Sequence, residues 1–193
     1  MDTKNILYFA SPGENNTAGV IQAVKERMSG SGIGHIVVAS NSGATALALW
    51  NEVHDLDARI VSVTEHAGFE GGDKIQISPE MKKELEDKGV KVLMGSHALS
   101  GVGRSIAKKF GGTSHTEIIA AALRLFGGEG LKVAVEISVM AADAGLVPTD
   151  AEIIAIGGTW RGADSALVLK TAHMNNFFDL EIREIICKPR QRK

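Results

Sequence analysis

The chain is poor in cysteine, in net charge and in long apolar runs. A single cysteine, Cys187, in 193 residues excludes an internal disulfide framework and a cysteine-rich zinc site. A formal net charge of −2 gives no general attraction to nucleic acid or to an anionic membrane. No apolar run approaches the roughly 20 residues of a membrane span, and the first residues, MDTKNILYFASPG, lack the pattern of a secretory signal. These absences predict a cytoplasmic protein without nucleic-acid or membrane partners.

Several catalytic motifs are absent as well. No His-Glu-x-x-His or Cys-x-x-Cys arrangement occurs, and the spacing of the histidines His66, His97, His115 and His173 is not that of metal ligands. The Gly-x-Ser-x-Gly elbow of serine hydrolases is also missing. We therefore predict no metal site and name no catalytic residue. Cys187 lies in REIICKP, a pattern that indicates a small core residue at a strand end.

Seven short apolar runs alternate with helix patterns along the chain. They span residues 6–10, 35–39, 58–63, 90–94, 151–156, 165–170 and 180–186. The first four have the near-continuous apolar character of buried parallel strands. This alternation, in a chain that is 44% hydrophobic and 23% charged, predicts one α/β domain with a mainly parallel sheet covered on both faces.

Two of the helices have clear start and stop signals. In SPEMKKELEDKG, Ser78 caps the helix and Pro79 occupies its first position. In SHTEIIAAALRLFGG, Ser114 and Glu117 form a capping box and Gly127 ends the helix.

Two segments are harder to assign. Residues 131–144 alternate like a strand but also fit one face of a helix, and we predict a helix. The glycine-rich stretch 96–114 is either a functional loop or a short helix with flexible ends.

The segment HIVVASNSGATALALW carries the strongest functional signal. Its apolar strand leads into the turn Ser40-Asn41-Ser42-Gly43-Ala44-Thr45, and the turn leads into an amphipathic helix. Helix amino termini offer unpaired N–H groups and a positive dipole end, and the turn adds hydroxyl donors without adding charge. The spacing Ser-x-Ser-Gly-x-Thr has the form of the phosphate loop of flavodoxins. The alternative is a well-capped strand-to-helix connection without a ligand.

Other polar residues follow strand ends, where parallel α/β sheets bind ligands. Trp160 can stack on a planar ring and Arg161 can pair with an anionic group, because an indole is flat and apolar and a guanidinium is a planar donor fork. Arg104 is a second possible anion clamp. The remaining candidates for the ligand site are Asn16, Thr17, Thr64, His66, Gly158, Thr159 and Gly162.

The motifs resemble a known family over essentially the whole chain. PGENNT, VASNSGATA, SHALSGVGRS, EISVMAADAG, GGTWRGAD and AHMNNFFDLEIREIICKPR are similar to free-standing "pyruvate kinase alpha/beta domain" proteins, which resemble the carboxyl-terminal domain of pyruvate kinase. This resemblance implies a three-layer α/β/α fold, a sheet ordered 3-2-1-4-5 with an antiparallel edge strand, and a helix over 131–144. It implies no kinase activity, because 193 residues do not accommodate the catalytic barrel beside this domain.

The resemblance also implies a ligand. In pyruvate kinase the corresponding turn binds a phosphate of an effector such as fructose 1,6-bisphosphate. The resemblance therefore implies a phosphate-binding role for residues 40–45. The family further suggests flavin mononucleotide (FMN), in agreement with the form of the turn. Ala44 replaces the basic or hydroxyl residue usual in the effector loop, and this favours FMN over a sugar bisphosphate. We expect an FMN-binding homo-oligomer; the alternative is a non-catalytic module that senses a sugar phosphate or nucleotide.

Overall fold

A computed structural model describes residues 3–192 as one α/β unit built on a seven-stranded sheet. The strands are β1 (Leu7–Phe9), β2 (His35–Ala39), β3 (Arg59–Thr64), β4 (Lys91–Met94), β5 (Glu152–Gly157), β6 (Ser165–Lys170) and β7 (Glu181–Pro189). The helices are α1 (Thr17–Met28), α2 (Ala44–Val53), α3 (Pro79–Asp87), α4 (Gly101–Phe110) and α5 (His115–Asp143). Short 3-10 turns occupy Glu14–Asn16 and Met174–Asp179. The predicted α/β class and all seven predicted strands are confirmed.

The sheet is mixed, with the strand order β1-β7-β6-β5-β2-β3-β4. Only β6 runs against the other strands, and it lies between β5 and β7. The prediction of an antiparallel strand at the edge is therefore wrong, because β7 and β1 extend the sheet beyond β6. The five-strand order 3-2-1-4-5 omits these two added strands.

The edges of the sheet are less buried than the sequence indicates. Leu7 and Tyr8 of β1 are exposed, and so are Lys91 and Met94 of β4. Apolar runs at these two places predict fully buried strands, but an edge strand has a neighbour on one side only. The inner strands β2, β3 and β5 do have the expected continuous burial.

Helices cover both faces of the sheet, because alternate strand residues point to opposite sides. On one face, Ile36 and Val38 pack with a cluster that includes residues of α1, α2 and α3. On the other face, Val37 packs with a cluster from α5. Two separate cores therefore stabilise one sheet.

The capping signals operate as predicted. Ser78 Oγ accepts the Met81 N–H at 3.1 Å, and Ser114 and Glu117 form the capping box. Gly127 and Gly128 have non-helical backbone angles, so the helix that begins at His115 is interrupted there and resumes at once. The second half of α5 confirms the helix predicted over 131–144. The ambiguous stretch 96–114 contains α4 between two loops.

None of the helices in residues 3–192 has both the length and the apolar character needed to cross a lipid bilayer.

Cys187 is fully buried in the first core, beside Ala166 of β6. Burial raises the pKa of its thiol to about 12. We therefore expect no reaction of the native protein with a thiol reagent such as Ellman's reagent at neutral pH, because only the thiolate reacts. Full reaction should follow denaturation in guanidinium chloride, measured by absorbance. Rapid labelling of the native protein would contradict the burial of this side chain.

Candidate functional site

The predicted turn lies at the topological switch point of the sheet. The chain leaves β2 through α2 on one face to reach β3, whereas it enters β5 from α5 on the opposite face. At the carboxyl end of β2 the chain therefore turns to one face of the sheet, while α5 covers the other face. Such a point forms a crevice, and α/β proteins bind ligands in it.

Strand register brings most of the predicted residues to this crevice. Val38 pairs with Ile156, so the turn after Ala39 begins beside Gly158, after the end of β5. On the other side, the Ser40 N–H donates to the Val63 carbonyl at 2.9 Å, which places Ser40 beside Thr64. The turn 40–45 thus lies between the ends of β3 and β5.

Part of the turn's hydrogen-bonding capacity is used within the fold. Ser40 is buried, and its hydroxyl accepts the Ala46 N–H at 3.2 Å. The Ser42 hydroxyl accepts the Ala44 N–H at 3.5 Å, and the Thr64 hydroxyl donates to the Asn41 carbonyl at 3.0 Å. The N-cap position of α2 is Gly43, which provides no side-chain cap, so Ser42 is not the N-cap; Ser40 instead satisfies one N–H of the first turn. Ser42 and Ala44 are exposed at the start of α2, where a ligand has access.

Gly43 is needed for packing as well as for its backbone angle. It has a φ of 88°, in the left-handed region that favours glycine. A Cβ here would clash with the Met81 side chain of α3. The side chain of any substituent would thus point at α3, so substitutions at Gly43 test the fold rather than ligand binding.

A buried carboxylate organises the loop after β5. Asp164 is fully buried and accepts the N–H groups of Gly13 and Thr159, each at 3.1 Å, and the Ser165 hydroxyl at 2.9 Å. It therefore ties the loops after β1 and β5 together. Sequence analysis missed this role, although an acidic residue at the end of a glycine-rich loop, directly before the apolar strand β6, was a usable signal.

The loop presents Trp160 to solvent. This indole is 96% exposed, and its backbone has a φ of 67°, which is unusual for a bulky residue. Arg161 is exposed beside it. The loop after β3 approaches this pair: the pKa of Glu70 is lowered chiefly by hydrogen bonds to Lys74 and Gln76, and to a smaller extent by Arg161.

Asn16 and Thr17 lie beside the same loop rather than beside the turn. The Thr17 hydroxyl donates to the Glu14 carbonyl at 2.7 Å and accepts the Ala163 N–H at 3.0 Å. A Cβ on Gly162 would clash with that hydroxyl. The Asn16 amide donates to the Ser11 carbonyl at 2.8 Å. Thr17 thus braces the loop from the start of α1, and Asn16 holds the segment between β1 and α1.

His66 belongs to a cluster of three rings at the ends of β3 and β4. The His66 ring centroid lies 5.6 Å from those of Phe69 and His97, and the Phe69 and His97 centroids are 5.0 Å apart. Burial lowers the pKa of His97, while nearby Glu136 opposes this shift. Burial raises the pKa of neighbouring Glu65, and a hydrogen bond from Asn41 of the turn partly offsets it.

A buried ion pair lies behind these rings. Lys132 and Glu136 of α5 expose only 4% and 3% of their surfaces, and Lys132 Nζ lies 2.5 Å from Glu136 Oε2. The other carboxylate oxygen, Glu136 Oε1, accepts the Leu99 N–H at 2.8 Å. Nothing in the sequence indicates this pair, because a Lys and a Glu four residues apart are common on exposed helix faces.

The two best-formed surface depressions of the described residues lie elsewhere. One follows α3 from Glu80 to Lys88, and the other, of about 530 Å³, lies between the start of β1, the end of α1 and β7. No group of three His, Cys, Asp or Glu side chains within residues 3–192 is arranged to hold a metal ion.

The lowered pKa of His97 predicts a pH-dependent stability. Its folded value lies below the ordinary 6.5, so between the two values the unfolded chain binds more protons than the folded protein. The contribution of His97 to the free energy of unfolding is therefore largest above about pH 6.5. It decreases as the pH falls toward the pKa of His97 in the folded protein.

Urea denaturation at several pH values in this range gives the free energy of unfolding as a function of pH. This free energy should change less with pH for His97→Phe than for the wild type, because phenylalanine keeps an aromatic ring but does not titrate. His115→Gln removes an exposed histidine and serves as the control. Equal slopes for wild type and His97→Phe would contradict the burial of a neutral His97.

A comparison of the sequence with models of known protein families gives no match. The chemistry of the switch-point crevice is therefore inferred from the residues of this chain.

Proposed function

We propose that this protein binds FMN, or a similar phosphorylated ligand, in the crevice at the carboxyl ends of β2 and β5. The observation that carries the proposal is the position of the hydroxyl-rich turn 40–45 at the topological switch point, at the amino terminus of α2. Both the sheet topology and the helix dipole favour an anionic ligand at this place.

The turn is suited to a phosphate group. Ser42 is exposed, so its hydroxyl at the start of α2 is accessible to a ligand. The positive end of the helix dipole adds an attraction of typically 0.3–1 kcal/mol for a negative group. Ser40 and Thr64 fix the conformation of the turn through their own hydrogen bonds.

The loop after β5 is suited to a planar ring. Trp160 exposes nearly all of its indole from a strained backbone position, and such positions persist where the surroundings impose them, often at ligand sites. A flat aromatic surface stacks on the ring system of a flavin, and Arg161 supplies a cation beside it. Asn16, Thr17, Thr159 and Gly162 support this loop.

Bound FMN would supply redox chemistry, while the residues of the crevice would hold and orient it. The proposal includes membership of the family of pyruvate kinase α/β domain proteins, on the motifs of the sequence. A sugar phosphate or nucleotide effector would use the same phosphate turn, so the ligand is identified by comparing the affinities for FMN, a sugar phosphate and a nucleotide.

The test of the phosphate turn is the substitution Ala44→Glu. Ala44 is exposed at the first position of α2, where a carboxylate is compatible with the helix dipole and should leave the fold intact. Repulsion between this carboxylate and a bound phosphate should weaken FMN binding about fivefold or more, given roughly 1 kcal/mol or more between two unit charges a few ångströms apart. FMN affinity can be measured by fluorescence titration of the flavin.

Ala44→Gln is the matched control, because it has the same size without the charge. It should retain affinity to within a few fold. Equal affinities for the Glu and Gln variants would place the phosphate elsewhere. A wild type that binds neither FMN nor any phosphorylated sugar or nucleotide would refute the proposed function.

Self-association is a further part of the proposal. Val102, Ile106 and Phe110 recur every four residues along α4 and expose 75%, 52% and 75% of their surfaces. Exposed apolar surface of this kind is typical of protein interfaces.

Sedimentation equilibrium should give an oligomer for the wild type and a shift toward monomer for Phe110→Ser. A monomeric wild type at micromolar concentration would refute this part.

A further inference from the structure

Glu65 is an acidic residue at the edge of the proposed phosphate turn. It directly follows Thr64, the last residue of β3, and its side chain is only partly buried. The Thr64 hydroxyl donates to the Asn41 carbonyl at 3.0 Å, and the Asn41 side chain hydrogen-bonds the Glu65 carboxylate. Two successive residues therefore join the end of β3 to the turn. The carboxylate lies beside the turn and is accessible from solvent.

The chemistry of Glu65 does not suit the phosphate itself. A carboxylate and a phosphate repel each other, and the turn supplies hydroxyl donors and a helix terminus for the phosphate without Glu65. Within the part of the chain that the structure describes, Asn41 is the one hydrogen-bond partner of this carboxylate. A carboxylate has about four acceptor positions, so Glu65 has the capacity to accept hydrogen bonds from another part of the ligand.

Partial burial makes such hydrogen bonds more effective. Burial raises the pKa of Glu65, which shows that its carboxylate is partly withdrawn from water. Hydrogen bonds are electrostatically stronger in such surroundings than on an open surface, and those to an ionised acceptor are stronger than neutral ones.

The order of elements around Glu65 is that of a nucleotide-binding βαβ unit. Strand β2 leads through the turn and α2 into the adjacent parallel strand β3, and Glu65 follows at position 22 after Gly43. In dinucleotide-binding folds a glycine-rich turn at this place holds a phosphate, and an acidic residue about 20 positions further on hydrogen-bonds a ribose hydroxyl. The G-x-G-x-x-G fingerprint does not occur in this sequence, so the correspondence is one of position and chemistry.

We propose that Glu65 binds two adjacent hydroxyl groups of the ligand, next to its phosphate. A carboxylate suits such a diol, because each of its two oxygens can accept a hydrogen bond from one hydroxyl. The inference rests on the proposed function and narrows the ligand class to phosphate esters of a polyhydroxyl unit, such as the ribityl chain of FMN or the ribose of a nucleotide. Asn41 is a positioning residue, because its amide holds the carboxylate beside the turn.

Two flavins isolate the contribution of the hydroxyl groups: FMN and a synthetic analogue with a phosphopentyl chain in place of the phosphoribityl chain. Both carry the same ring and the same phosphate, so the ratio of their affinities, from fluorescence titration, measures recognition of the hydroxyls. The wild type should bind FMN about tenfold more tightly than the analogue, as expected for hydrogen bonds to a charged group. Glu65→Ala should bind the two flavins within twofold of each other and should bind the analogue no more weakly than the wild type does.

Two further variants serve as controls. Glu65→Gln keeps an acceptor without the negative charge and should retain a preference for FMN of only about threefold. It carries the test if Glu65→Ala fails to show a native circular dichroism spectrum. Glu70→Gln removes the charge of an exposed glutamate in the same loop and should keep the full preference for FMN. For a wild type that binds nucleotides but no flavin, AMP and its 2′,3′-dideoxy analogue replace the two flavins.

The outcomes distinguish the two proposals. If the wild type binds FMN and the phosphopentyl analogue equally, the role of Glu65 is wrong and the FMN site stands. If both Glu65 variants keep the wild-type preference, another group binds the hydroxyls and the inference also fails. If Glu65→Ala loses affinity for the analogue as strongly as for FMN, Glu65 only supports the turn. If the wild type binds no flavin, nucleotide or sugar phosphate, both proposals fall.

Discussion

The close contact between α5 and the end of β5 determines the geometry of the candidate site. Gly157 and Gly130 allow the helix backbone to lie directly against the strand, because a Cβ on either glycine would clash with neighbouring atoms. This contact fixes the position of α5 along the direction of the strands. It thereby fixes the position of Lys132 and Glu136 relative to the crevice and of Asp164 relative to the loops after β1 and β5. Neither glycine takes part in ligand chemistry, yet the site depends on both.

The two faces of the sheet have different chemical characters near the candidate site. The start of α2 offers a helix terminus and hydroxyl groups, which attract an anion without carrying net charge. On the opposite face, α5 buries the Lys132–Glu136 ion pair, whose charges are held in place by one another and by a backbone N–H. The loops after β3 and β5 add aromatic side chains at the same edge of the sheet.

Local signals in the sequence were sufficient for most of the fold. Apolar runs predicted every strand, and Ser78 and Ser114 predicted helix starts, because strands and caps depend on neighbouring residues. The location of the antiparallel strand depended on the long-range pairing of β6 with β7, which no local pattern encodes. The turn 40–45 was predictable as a site because it follows a buried strand directly. Lys132, Glu136 and Asp164 were missed because their burial results from tertiary packing, and an i,i+4 Lys–Glu pair looks the same in sequence whether it is buried or solvated.

The pairing of β1 has a consequence for folding. This strand pairs in the sheet with β7 alone, matching Leu7 with Cys187. During synthesis, β1 leaves the ribosome before β7, so its backbone groups cannot form their sheet hydrogen bonds until β7 has been made. Contacts of such long sequence separation slow folding and leave an unpaired strand edge in the meantime. The backbone of Leu7 to Phe9 thus stays without its partner strand while all the residues between β1 and β7 are synthesised.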